Sequence, residues 1–371
     1  MQKNIIWAVL VIVVLGGVIF WATKPAVQTG NPIKIGAVIS QTGFAASYGQ
    51  PAAQAVQMAV EDINKSGGIN GRLVELSLED DHTDPKQAVS AFQKLTSIDG
   101  VQGIVGGLFD FTTKPLFPLA DESKVTLISP INLRIPGGFE LTPNTFVMLP
   151  DFSLVIRQLK TYLAQSNSKK IAVVHFKSTF GQEIASTLSQ VSQELARGPI
   201  VDEAYYQIGG NDFKTTILKL KAAGVDTVFL DMVDVDPVNF MTRANDLGFK
   251  PTIISYHSIV DSFAASDKDK ALIEGAVILD WEFSPAGFAA EFKQHWGVEP
   301  SHNADKSYSA VYALARAIAA TNNTAKVAPY LASHPLETPF GNVIFNQNHA
   351  VDSTPVKIEV VKNGVPVEWT Q

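Results

Sequence analysis

Side chains that could do chemistry are scattered along this chain. The densest group is Asp80-Asp81-His82-Thr83-Asp84, where carboxylates and an imidazole share one short run. Such a run has the donor types of a metal site. It also follows a strand pattern and ends in Asp84-Pro85, an acid at N-cap with proline at N1, so we read it as a loop that starts a helix. Gly103-Ile104-Val105-Gly106-Gly107 has the look of a nucleotide-binding turn but lacks its third glycine. The seven histidines, His82, His175, His257, His295, His302, His334 and His349, have no metal-binding spacing. Cysteine is absent, which excludes a thiolate nucleophile, a cysteine-ligated zinc site and lipidation on cysteine. No GxSxG, P-loop, HExxH or GxGxxG motif occurs. Phe288, Phe292 and Trp296 fall four residues apart and read as a core stripe, as do Tyr308 and Tyr312. A long, well-patterned chain without catalytic motifs favours a receptor over an enzyme. We therefore expect no enzymatic activity, no cofactor and no metal.

The elements that would position a site alternate in type. Ile33 to Ile39 predicts a strand, Tyr48 to Asn64 a helix closed by Gly67-Gly68, and Leu73 to Leu78 a second strand. Val101 to Val105 and Val125 to Ile128 predict further strands. The series restarts with a helix over 152–165, and strands are predicted at 170–175, 200–205, 225–230, 252–255 and 276–279 with helices between them. Three helices follow, around 288–296, 304–320 and 327–331. The tail predicts antiparallel strands at 342–345, 356–361 and 365–369, with Asn363-Gly364 as a hairpin turn. A repeated βα series implies parallel sheets covered by helices. At 371 residues with 46% hydrophobic content, two lobes are the natural division. The net charge of -7 offers no nucleic-acid footprint.

Compartment rests on the first residues. Ile5 to Ala22 carries no charge, follows Lys3, and is longer than the usual core of a cleaved signal. No small-x-small cleavage site follows it. We read residues 1–25 as an uncleaved signal anchor ahead of a cleaved signal peptide, and 26–32 as a linker. The expected localisation is extracytoplasmic, in the periplasm or at the cell surface, with the membrane reached through this helix.

Several segments in order resemble the leucine/isoleucine/valine-type solute-binding proteins of ABC transporters. They are Ile33-Lys34-Ile35-Gly36 with Thr42-Gly43 and Tyr48-Gly49; Ala59 to Asn64 with Gly67-Gly68-Ile69-Asn70-Gly71; and Glu79-Asp80-Asp81 with Asp84 to Ala88. Lys170 to Val174 with Phe180-Gly181, Asp212-Phe213, Gly224-Val225-Asp226 and Gly248-Phe249 continue the series. The likeness covers nearly the whole chain after residue 32. It implies a type I periplasmic binding fold: two doubly wound parallel-sheet lobes, joined by a three-crossing hinge and preceded here by the hydrophobic helix. The family's crossings imply lobe 1 over 33–148 and 280–338, and lobe 2 over 149–279 and 339–371. They also imply a small-molecule ligand in the interlobe cleft, closure by hinge bending and delivery to an ABC-type permease by a monomer.

The resemblance places the family's pocket positions on Tyr48, on Asp110 and Phe111 with Thr112 and Thr113 beside them, and on Ile131, Asn132 and Leu133. In lobe 2 it places them on Phe180, on Val233 beside Asp234, and on His257. The departures matter most. Asp110 stands where a serine serves the ligand carboxylate, Leu133 where a threonine does, and His257 where an acid pairs with the ammonium. The α-amino-acid clamp is therefore lost, and the implied ligand is an amino acid derivative, amide, amine or similar, not a plain branched-chain amino acid. Apart from a ligand role, Asp110 could be a helix N-cap before 111–120, and His257 an ordinary loop residue. The same fold serves amide sensors, so a regulatory module acting with a separate signalling partner is the alternative. A hydrolase built on His257 with Asp110 lacks any supporting nucleophile motif.

Overall fold

The architecture comes from a computed structural model that describes residues 30–135, 138–263, 270–281, 287–301, 304–339, 341–352 and 356–370. The apolar run 5–22 lies outside these residues. Among the described residues no helix is long and apolar enough to cross a membrane.

Strands β1 (Ile33–Ile39), β2 (Val74–Asp80), β3 (Gly103–Gly106), β4 (Thr126–Ser129) and β5 (Thr145–Val147) form one sheet in the order β2-β1-β3-β4-β5. Every pairing in it is parallel. Strands β6 (Ile171–Phe176), β7 (Val201–Tyr205), β8 (Thr227–Asp231), β9 (Thr252–Tyr256) and β10 (Val277–Asp280) open a second sheet. After the small antiparallel pair β11 (Leu336–Thr338) and β12 (Gly341–Val343), strands β13 (Lys357–Lys362) and β14 (Val365–Glu368) complete it. Its order is β14-β13-β10-β9-β8-β6-β7, parallel except for the last hairpin.

Burial explains the strand sequences. A parallel sheet is covered on both faces, so its strands read as continuous apolar runs. In β1, Ile33, Ile35, Ala37, Val38 and Ile39 are all fully buried. The helix Ala46–Lys65 lays Ala52, Ala55, Val56, Ala59 and Ile63 against that sheet and against the helix Ala304–Thr321. The latter belongs to lobe 1 although it follows β10 of lobe 2, so the chain has crossed back. It crosses again before β13.

The crossings differ in one place from the expected limits. The β11–β12 hairpin straddles the boundary drawn at 338/339, and bridges Val147↔Ala350 and Phe345↔Val351 hold the next residues to lobe 1. Phe345 and Val351 share the core of the first sheet. The tail strand expected at 342–345 is thus shorter and pairs with β11, not with either main sheet. The helix Ser258–Phe263 and strand β5 were not anticipated. The continuous helix considered after Asp110 is instead broken into Asp110–Thr113, a tight turn Lys114–Leu116 and Phe117–Ser123. Pro115 and Pro118 lack the N–H groups an unbroken helix would use. The Asn363-Gly364 turn has the two left-handed residues a two-residue hairpin requires, with φ of 54° and 74°.

Candidate functional site

The carboxyl ends of the two parallel sheets face one cleft, the place where open α/β sheets bind ligands. The loop after β3 shows how backbone geometry places side chains there. Gly106 has φ 150° and a Cβ on it would lie 2.1 Å from the Val38 carbonyl oxygen; Gly107 follows at φ 73°. Only glycine fits both demands. The resulting sharp turn presents Phe109, Asp110 and Phe111 to the cleft. Phe109 and Phe111 stack with ring centroids 5.6 Å apart.

The hydroxyl and amide groups beneath this loop are already occupied. Thr112 and Thr113 donate to the Phe109 carbonyl at 3.1 and 2.6 Å. Ser129 donates to the Gly107 carbonyl at 2.7 Å. The Asn132 amide nitrogen lies 2.8–3.0 Å from the Gly107 carbonyl, Thr113 Oγ1 and Ser129 Oγ. These bonds hold the loop and leave those donors committed away from a ligand.

Lobe 2 supplies the last residue of four consecutive strands or their successor. Phe176 ends β6, Tyr205 ends β7, Asp231 ends β8 and Tyr256 ends β9, while Trp281 follows β10. The rings form two groups on the wall: Phe111–Phe176 at 6.4 Å crosses the cleft and Phe176–Tyr205 are 5.7 Å apart, while Tyr256–Trp281 are 5.2 Å apart. Gly181 lets the helix Thr179–Glu194 start against β6, since a Cβ there would meet the Phe176 carbonyl at 2.2 Å.

Hydrogen bonds also cross the cleft. Asp110 is 7% exposed; its Oδ1 accepts from the Phe111 N–H at 2.9 Å and its Oδ2 from the Phe180 N–H of lobe 2 at 3.0 Å. One carboxylate of lobe 1 thus satisfies an orphan donor in the first turn of a lobe 2 helix. The Tyr48 hydroxyl accepts from the Asp234 N–H at 3.2 Å, and Ser47 Oγ lies 3.4 Å from Asp234 Oδ1. Burial raises the Asp110 pKa, opposed by the N–H groups of Phe180 and Phe111. Burial likewise pushes the Tyr48 phenol up to about 12.

A cavity of about 140 Å³ lies between these walls. Of the sequence-predicted residues, Tyr48, Asp110, Phe111, Ile131, Asn132, Leu133, Phe180 and Val233 line it. Two do not. Asp234, with left-handed backbone at φ 61°, contacts Tyr48 through its N–H and Ser47 through its carboxylate. His257 lies off the cavity, with Nδ1 3.7 Å from Asp280 Oδ1. The strand alternation explains that miss: β9 ends one residue earlier, at Tyr256, and adjacent residues point to opposite sides. Asp110 is also corrected in role, since backbone N–H groups engage both of its oxygens. Sequence reasoning placed Asp231 only as a neighbour of Val233 and passed over Phe109, Phe176, Tyr205, Tyr256 and Trp281. Four of them, Phe176, Tyr205, Asp231 and Tyr256, hold the final position of a strand in the structure; the predicted strands stop one residue short of all but Tyr205.

Asp231 is the other acid on the wall, and no Lys, Arg or His lines the cavity among the described residues. Burial, and then the Asp110 charge, push its carboxyl up to about 7. Burial also raises the Tyr205 and Tyr256 phenols, with Asp231 adding to both shifts.

His257, Asp280 and Glu359 bring one ligand atom each within 4.8 Å of one another. Burial first, then the nearby Lys306 ammonium, lower the His257 pKa to about 4. A divalent ion there would meet that ammonium. The run at Asp80–Asp84 is a turn: Asp80 accepts from the Gln41, Thr42 and His82 N–H groups, Asp81 from the Thr83 N–H, and Asp84 caps its helix through Lys86 and Gln87.

Two α/β lobes closing on a cavity at their strand ends define a ligand-binding receptor of the bilobal kind. The periplasmic binding protein family model matches residues 32–364, and the chain belongs to that family. An amino acid binding protein of Pseudomonas aeruginosa is 28% identical over 326 residues, covering 83% of this chain and 84% of the relative. The branched-chain amino acid transporter substrate-binding protein of Streptococcus pneumoniae, solved with isoleucine, superposes with a TM-score of 0.76 at 22% identity, covering 90% of this chain and 97% of the other. A solute-binding protein of an R. palustris ABC transporter, solved with benzoate, gives 0.78 at 16% identity, covering 91% and 95%. The family is one of extracytoplasmic solute-binding proteins.

Proposed function

We propose that this protein is the solute receptor of an ABC-type permease, tethered by residues 5–22, and that it binds a compound with an apolar, ring-sized body and no carboxylate. The observation that carries this reading is the lining of the cavity. It is aromatic on both lobes, it holds acids, and it has no basic side chain among the described residues. A buried carboxylate on a ligand would meet like charge at Asp231 and, at the side-chain donors of Asn132, Thr112 and Thr113, groups already bonded elsewhere. Leaving such a charge unpaired costs several kcal/mol. Volume agrees, since a dry apolar cavity of about 150 Å³ suits benzene. The relative that holds benzoate supports ring-sized ligands on this fold, while the charge of the present cavity argues against benzoate itself.

Calorimetry on the full chain in detergent tests the reading. Leucine, isoleucine and valine should give no heat of binding at micromolar concentrations. Micromolar affinity for any of them would overturn it.

A further inference from the structure

We propose that Asp231 selects the ligand's charge, and that the solute is an organic ammonium ion on a single-ring apolar body. This rests on the receptor reading above and narrows its ligand to a cation.

The argument begins with the two acids on the wall. Asp110 is committed: both oxygens accept backbone N–H groups, one from each lobe. Asp231 is not. It ends β8, which lies between β6 and β9 near the middle of the second sheet. Its carboxylate faces the cavity and has no hydrogen-bond partner among the described residues. A carboxylate in apolar surroundings is unfavourable unless a cation accompanies it. The cavity supplies none of its own, so Asp231 keeps its proton until a ligand brings the cation.

The surroundings suit an ammonium. The Phe176 and Tyr205 rings pack together at 5.7 Å on one side of the strand, and Tyr256 lies on the other. Aromatic faces attract a desolvated cation. The Tyr256 hydroxyl is buried without a hydrogen-bond partner among the described residues, leaving it able to accept from an N–H. This position differs from the one the family resemblance assigns to its ammonium partner, which falls on His257, off the cavity. The ammonium site has therefore moved from the loop after β9 to the end of β8.

Among the described residues, Asp110 is the other charged group on the cavity wall; His175, paired in register with Asp231 on β6, has its ring nitrogens on the Phe176 carbonyl and Asp202; and the phenols of Tyr48, Tyr205 and Tyr256 stay protonated because burial raises all of them. Pairing with an ammonium would ionise Asp231, so ligand capture near neutral pH should release a proton.

Titration calorimetry on the full chain would use phenethylamine, phenethyl alcohol, phenylacetate and leucine. Phenethylamine should bind about tenfold or more tightly than the alcohol, and phenylacetate should not bind. Its heat should change with the ionisation enthalpy of the buffer, showing proton release. In Asp231→Asn the amine's advantage over the alcohol and the buffer dependence should both vanish, while Asp231→Glu should keep part of each. A melting curve for each variant would confirm folding. If the alcohol binds as tightly as the amine, or the amine does not bind, the cation assignment is overturned and the receptor reading stands; binding of phenylacetate would overturn both. Micromolar leucine binding would instead overturn the reading on which it rests.

Discussion

Asp231 shows how one residue can carry a cost in the fold for the sake of a site. Its carboxyl titrates near 7 in the folded protein, against about 3.9 for an unperturbed aspartate. Below pH 4 both states hold the proton. Between about 4 and 7 the unfolded chain gives it up first, so stability falls as pH rises, and above about 7 the loss is complete. Asp231→Asn should therefore gain on the wild-type protein steadily from pH 4 to pH 8. Melting temperatures of the two proteins across that range check this; a difference that does not change with pH would refute it. His257 has the opposite sign. Its pKa is lowered to about 4, so its neutral form is favoured and stability is lost as pH falls from about 6.5 towards 4. His257→Gln should narrow that acid-side loss, measured in the same melts. Neither behaviour was readable from sequence, because both depend on which side of a strand end the residue faces.

At the scale of elements, the helix Thr179–Glu194 begins in lobe 2 but has one of its first N–H groups satisfied from lobe 1. Within its own lobe, Ser178 accepts from the Gly181 N–H at 3.0 Å; across the cleft, Asp110 accepts from Phe180. Removing a capping side chain costs about 0.5–2 kcal/mol. The part carried by Phe180 would be lost from the closed arrangement alone, so Asp110→Ala should favour lobe opening without unfolding either lobe. Asp110→Asn keeps an acceptor oxygen and should open less. Scattering from the ligand-free variants tests this order: the radius of gyration should rise most for the alanine variant. The loop that delivers Asp110 was partly legible in sequence, through Gly106-Gly107 after a strand. Its second partner was not, since Phe180 lies in the other lobe.

At the scale of the molecule, two sheets whose strand ends share a cavity suggest hinge closure over a ligand. Scattering on the protein should show compaction when a saturating amine is added; an unchanged radius would count against closure. The uncharged run Ile5 to Ala22 bears on where the molecule resides. Mass measurement on membrane-extracted protein should find residues 1–25 still attached, and a mature N-terminus near Thr23 or Gln28 would show cleavage instead.

The sequence alone determined the alternation of strands and helices, because burial on both faces of a parallel sheet demands continuous apolar runs such as Ile33 to Ile39. It also determined the Asp84 cap and the Asn363-Gly364 turn, both of which depend on local residue chemistry. The tertiary structure decided the rest. It placed the third crossing beyond β12, since Phe345 and Val351 find their apolar partners in lobe 1. It put Tyr256 in the cavity and His257 behind it, because one step along a strand reverses the side chain. It also made Asp110 a bridge between lobes and left Asp231 facing the cavity, a distinction set by which backbone N–H groups the fold brings within reach of each carboxylate.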